Sequence, residues 1–378
     1  MSNKPGYKHT PLGWIPEEWE LTELGEVLTL KRGYDLTHSQ RRDGNIPIFT
    51  SGGINGFHNT ATAKGPGVIT GRYGTVGEVF YCEDDYWPHN TTLYVHNFKK
   101  VSPKYAYHLL KSINFKSYSD KSAVPGINRN HIHNEVIAIP IEEQEQTKIS
   151  IILSTWDEAI TKTKQLIAQL QQRNKSLKHQ LLTGKKRLTG FYEKWKEVHL
   201  GDVFTERNET GNINLDLLSI GSLGVYPQSQ SEKRDTSNND KAKYKRICPG
   251  DIGYNTMRMW QGRSALSSLD GIVSPAYTIV KPKERQNSQF YAYLFKLPSV
   301  VNKFFRNSQG LVEDTLNCKF KDFAKVKVEV PEYEEQVAIS KVISKAHTEV
   351  ILYEKRLAAL QLQKKGIMQK LLTGEVRV

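Results

Sequence analysis

The chain has 378 residues, with 53 Lys and Arg against 40 Asp and Glu and a formal net charge of +13. That is length for about two domains with cores of their own, and a surface that favours a polyanion. No run of about eighteen uncharged apolar residues occurs, which excludes a helical membrane span, and the opening MSNKPGYKHTPLGWIPEEWE holds no apolar stretch of the secretory type. Cys82, Cys248 and Cys318 stand singly, with no spacing for a zinc knuckle or a redox pair, so a reduced, intracellular, metal-free chain is expected.

Residues 1–142 read as a first globular domain of α+β type. GPGVITGRYGTVGEVFYC has the pattern of short strands with Gly-rich turns, and SPKYAYHLLKSI the pattern of a helix. Between them lie loops that mix Arg or Lys with Asn, Gln, Tyr and Gly: KRGYD, SQRRDGN, TSGGINGFHN, GRYGTVG and PGINRNH. Arginine can read guanine bidentately, Asn and Gln can read adenine, and Lys with backbone amides can hold phosphates. Arg32, Arg41, Arg72, Tyr73, Arg129 and Asn130 are the candidate nucleic-acid contacts of this domain.

Residues 143–186 form a first long helix. Ile149, Leu153, Trp156, Ile160, Thr163, Ile167, Leu170, Asn174, Leu177 and Leu181 follow one another at alternating steps of four and three, a heptad seam that needs a partner helix. Pro140 closes the segment before it, Glu142 and Glu143 suit its N-terminal dipole, and Gly184 can take a left-handed C-terminal position.

Residues 187–333 form a second globular domain and 334–378 a second helix with a short tail, and both echo what came before. QLLTG at 180–184 returns as KLLTG at 370–374. At the same spacing of 190 positions Gln146 meets Gln336, Ser150 Ser340, Ser154 Ser344 and Leu170 Leu360. The second seam reads Ile339, Ile343, Ala346, Val350, Tyr353, Leu357, Leu360, Lys364, Ile367 and Leu371, with Pro331, Glu334, Glu335 and Gly374 marking its ends. A repeat of this length makes the chain two similar halves. The two helices can then lie antiparallel as a coiled coil, giving approximate internal two-fold symmetry. Asn174 and Lys364, the seam site that is polar in both copies, would set its register.

The domains correspond more weakly. WELTELGEV aligns with WKEVHLGDV, TTLYV with AYTIV, and YAY with YAY. Loops of the second domain are ERNETGN, SEKRDTSNNDKAKYKR, NTMRMWQGR and FFRNSQG. Their candidate contacts are Arg207, Lys243, Arg258, Trp260 and Arg263, together with Lys319.

No reaction is legible. There is no phosphate-binding GxxxxGK[ST] loop, no cofactor turn joined to an Asn-Pro-Pro-Tyr type tetrapeptide, and no Lys at nuclease spacing after the acidic turn Glu83-Asp84-Asp85. His89, His96, His131 and His133 lack the spacing of metal ligands on a helix face.

With YKHTPLGWIPEEWE and LGEV at the start, PIEEQEQTKI and PEYEEQVAI at the helix starts and LLTG at both helix ends, the chain resembles the specificity subunit of type I restriction–modification enzymes over essentially its whole length. The resemblance implies two target-recognition domains alternating with two spacer helices. Each domain would read one half of a split double-stranded DNA target, and the helices would fix the unread spacer. It also implies a subunit without catalysis or cofactor of its own, cytoplasmic in a prokaryote. Two adenine methyltransferase subunits and restriction/translocase subunits would supply S-adenosylmethionine, Mg2+ and ATP. The family's recognition domains vary too widely for any base contact to be carried over. Two other readings are a specificity subunit of a related bipartite-cutting restriction enzyme, and a basic coiled-coil scaffold that binds protein or RNA.

Overall fold

Both halves build the same four-stranded antiparallel sheet. In the first its order is Leu28–Arg32, Thr92–Phe98, Gly67–Gly71, Val79–Cys82; in the second it is Phe204–Glu206, Tyr277–Pro282, Ile252–Asn255, Ser264–Leu266. The computed structural model describes residues 4–118, 126–221, 224–231, 238, 240–312 and 315–378, so Pro125 and the central part of the loop at 231–246 lie outside it. The inner strands carry unbroken buried runs, Gly67–Gly71 in one domain and Thr278, Ile279 and Val280 in the other, because both faces are covered. A helix follows each sheet: Pro103–Ser112, where the first domain's helix pattern lies, and its counterpart Ser288–Leu294.

A two-stranded ribbon closes each domain at the base of its long helix. Trp19–Glu23 pairs antiparallel with Val136–Pro140, and Lys196–His199 with Lys327–Val330. The long helices follow as Glu143–Leu182 and Tyr333–Leu372, 40 residues each. Gly184 and Gly374 stop them with φ of 67° and 71°, the left-handed conformation that favours glycine.

The chain divides into two compact units. One is Met1–Gln165 with Glu354–Val378, the other Leu166–Tyr353. The division falls midway along both long helices rather than at their ends, so each unit holds one domain, the first part of the helix that leaves it and the last part of the other helix. The repeated leucines now have a reason. Leu371 and Leu372 are buried in the core of the first domain with Trp19, Leu24, Leu28, Ile149 and Leu153. Leu181 and Leu182 occupy the same place in the second, with Leu200, Phe204, Ile339 and Ile343.

All the seam residues are buried or half-buried: Ile149, Leu153, Trp156, Ile160, Ile167, Leu170, Asn174 and Leu177 on one helix, and Ile339, Ile343, Val350, Tyr353, Leu357, Leu360, Lys364 and Ile367 on the other. The two polar sites reach across to the opposite helix within their own units. Lys364 Nζ donates to Asp157 Oδ1 at 2.6 Å, and Asn174 Nδ2 donates to the Ala346 carbonyl at 2.6 Å. Lys364 is only 7% exposed, and burial lowers its pKa while Asp157 opposes that shift.

At the base of each unit a Trp, a Glu and an Arg form the same clasp. Arg187 Nε and Nη2 each donate to Glu335 at 2.7 Å, and Trp195 Nε1 donates to the same carboxylate at 3.3 Å. In the other unit Arg377 donates to Glu145 at 2.5 and 3.0 Å and to Glu18 at 2.8 Å, while Trp19 Nε1 donates to Glu145 at 3.1 Å. The carboxylates at the centre are nearly inaccessible, and each is held by charged, bidentate donors.

Candidate nucleic-acid interface

The connection between an inner and an outer strand of each sheet carries the best-placed cations. In the first unit this connection is residues 72–78, and the segment that precedes the short helix Arg129–His133 lies along it. Ile127 N donates to the Arg72 carbonyl at 3.0 Å, and Tyr73 is bridged to Gly126. In the second unit residues 256–263 make the connection. Cys318 N donates to the Thr256 carbonyl at 2.8 Å, just before the short helix Phe320–Phe323. The two loops singled out by composition are therefore the same topological loop.

In the first unit Arg32, Arg72, Tyr73 and Arg129 converge, with Asn128, on a depression of about 320 Å³. The Arg72 guanidinium stacks over the Tyr73 ring, 4.4 Å from its centroid, and Nη2 lies 3.3 Å from the hydroxyl. Such a cation–π contact at a part-exposed site contributes about 0.5–1 kcal/mol. Arg32 is paired with Asp35 at 3.1 Å, both exposed, so a phosphate would compete for it at little cost. Asn130 is exposed on the short helix next to Arg129. Arg41 stands apart: its Nη1 donates to the Asn55 carbonyl at 2.9 Å and braces the hairpin formed by Ile46–Thr50 and Gly53–His58.

The second unit has a larger cleft, about 750 Å³, walled by Tyr226, Asn255, Gln261, Arg263, Tyr277 and Lys296. Arg263 is exposed at its rim. Lys296, lowered in pKa chiefly by burial, donates to the carbonyls of Gly262 and Ser264 at 2.6 and 2.5 Å and so fixes the backbone on both sides of Arg263. Arg258 and Trp260 lie on the same connection, where the Trp260 indole donates to the Met257 carbonyl at 2.9 Å and its ring meets Phe305 edge-on. Lys319 is exposed beside them, directly after Cys318.

Besides Arg41, two expected contacts are placed otherwise. Arg207 is held by the buried Asp251 at 2.6 and 3.3 Å, which raises its pKa, and makes an internal ion pair. Lys243 is exposed in a turn outside the cleft. Sequence reading passed over Tyr226, Tyr277 and Lys296 as contacts, and treated Asn128, Asn255 and Gln261 only as members of loops.

The acidic turn has an ordinary explanation, since Glu83 pairs with Lys104 at 2.9 Å and Asp85 with Lys64 at 2.8 Å. Among the described residues no group of His, Cys, Asp and Glu could hold a metal ion, and no helix is long and apolar enough to cross a membrane.

Comparison with known proteins agrees with this architecture. The type I restriction modification DNA specificity domain matches twice, over residues 16–172 and 192–362. The type I restriction enzyme MjaVIII specificity subunit of Methanocaldococcus jannaschii is 22% identical over 410 residues, covering 96% of this chain and 94% of that protein. The type I restriction–modification S subunit from M. genitalium shares the fold with a TM-score of 0.62 at 14% identity, covering 94% of this chain and 96% of that one. A chain from a study of complex assembly and conformational transition in the type I R-M system shares it at 0.59 and 16% identity, over 96% and 99%. With two specificity domains covering most of its length, the chain belongs to the type I restriction–modification DNA specificity family and is a non-catalytic DNA-recognition subunit.

Proposed function

We propose that each unit reads one half of a two-part DNA target with the connection between the inner and outer strands of its sheet. The observation that carries this reading is the recurrence of one exposed, arginine-bearing loop at the same place in both sheets, braced in both by the segment before the last short helix. The contacts are Arg32, Arg72, Tyr73, Arg129 and Asn130 in the first unit, and Arg258, Trp260, Arg263 and Lys319 in the second. Arg41 and Arg207 are scaffold residues, and Lys243 is a peripheral phosphate contact.

On this reading the paired helices set the unread spacer and offer a docking surface for two adenine methyltransferase subunits, to which restriction/translocase subunits add. S-adenosylmethionine, Mg2+ and ATP belong to those partners, and the complex works in the cytoplasm. Mapping N6-methyladenine across the genome, with and without this gene, tests the proposal. Loss of one bipartite methylated motif is the expected result. An unchanged methylome, with no methyltransferase retained by the tagged chain, would sink it.

A further inference from the structure

We propose that Arg72 is a specificity-determining residue that reads a guanine of the first unit's half-site through the major-groove edge, O6 and N7. This rests on the DNA-reading role proposed above and goes beyond it by assigning a base and an edge to one side chain.

The argument is preorganisation. Arginine that holds a phosphate needs only charge and reach, and a mobile side chain serves. Arginine that discriminates guanine must present two parallel N–H donors in a fixed plane. At Arg72 the backbone is fixed on both sides: its N donates to the Thr91 carbonyl at 2.8 Å and its carbonyl accepts from Ile127 N at 3.0 Å. The guanidinium plane is then set by the Tyr73 ring beneath it and by the 3.3 Å contact with the Tyr73 hydroxyl.

The ring itself has little room to move. A Cβ on Gly126 would lie 2.3 Å from Tyr73 Cε1, so residue 126 has to be glycine for the ring to lie where it does. Tyr73 remains 41% exposed, and the stack is presented to solvent at the depression. The other candidate arginines at this depression are held less firmly: Arg32 has an exposed carboxylate partner, and Arg129 is exposed on a five-residue helix.

The test is selection of bound sequences from a random duplex library by the full chain in its native complex, wild type and Arg72→Ala, Arg72→Lys, Tyr73→Phe and Arg263→Ala. Wild type is expected to select a guanine in one half-site. Arg72→Ala and Arg72→Lys are expected to lose that guanine alone, with affinity for the guanine-bearing duplex down roughly 5- to 150-fold. Replacing that base by 7-deazaguanine, which lacks N7, should weaken wild type and leave Arg72→Ala unaffected.

A uniform loss on all duplexes by Arg72→Ala, with the guanine preference kept, makes Arg72 a phosphate contact and overturns the proposal; so does a motif unchanged in both Arg72 variants. Arg72→Lys keeps the charge, and an unaltered thermal melt in that variant separates lost reading from lost folding. Wild type that selects no sequence would instead overturn the DNA-reading role itself. Arg263→Ala should alter only the other half-site, which checks that the halves report separately.

Discussion

The Arg187–Glu335 clasp shows what two residues can hold. Glu335 has a side chain only 3% exposed, and burying a carboxylate is costly unless donors surround it, as Arg187 and Trp195 do. Arg187→Ala leaves that carboxylate unpaired and is expected to destabilise the second unit by about 2–3 kcal/mol, read from the denaturant midpoint. Adding Glu335→Gln should restore part of the loss, because an uncharged amide is cheaper to bury. If the double variant is as unstable as the sum of the two single ones, the residues are not coupled as described.

This clasp was only half visible in sequence. Trp19 and Trp195 aligned, and the Glu145/Glu335 and Arg187/Arg377 pairs recur at the helix spacing. Nothing local says that a Glu at one helix start meets an Arg beyond the other helix's end. Arg207 makes the complementary point: its composition and loop suit DNA, yet its partner Asp251 lies 44 positions away in sequence. A loop's residue types therefore show which cations could bind a polyanion, and tertiary partners decide which ones are available.

At the scale of the element, the long helices were readable because a heptad pattern is a local property repeated many times, and their glycine stops and acidic starts fell where expected. Strand pairing was less so. The ribbon Trp19–Glu23 with Val136–Pro140 joins segments more than a hundred residues apart, and no periodicity reports that. If the helices measure the spacer, their length is a prediction. Removing one heptad from the middle of each should shorten the helical path by about 10 Å at 1.5 Å per residue. At about 3.4 Å per base pair the two halves of the methylated motif should then move closer by about three base pairs, with both half-sites unchanged. Methylome mapping of the paired deletion decides this, and an unchanged spacer would remove the ruler role.

For the whole molecule, the net charge of +13 matters through the ions displaced on binding. Each phosphate neutralised adds about 0.9 to the slope of log K against log salt. Lys319→Ala is expected to weaken binding equally on all sequences and to reduce that slope by about one, measured by titration of a labelled duplex at several salt concentrations. A changed sequence preference with an unchanged slope would instead make Lys319 a base reader.

The first unit is assembled from two stretches far apart in sequence, since Leu371, Leu372 and Arg377 complete a base whose other residues include Glu18, Trp19 and Glu145. During synthesis the second unit, continuous from Leu166 to Tyr353, is the one that can finish first. The first domain, made before that unit, must wait for residues 371–377, translated about 10–40 s after it at 5–20 residues per second. A stop codon in place of Leu371 would therefore damage the first unit and spare the second.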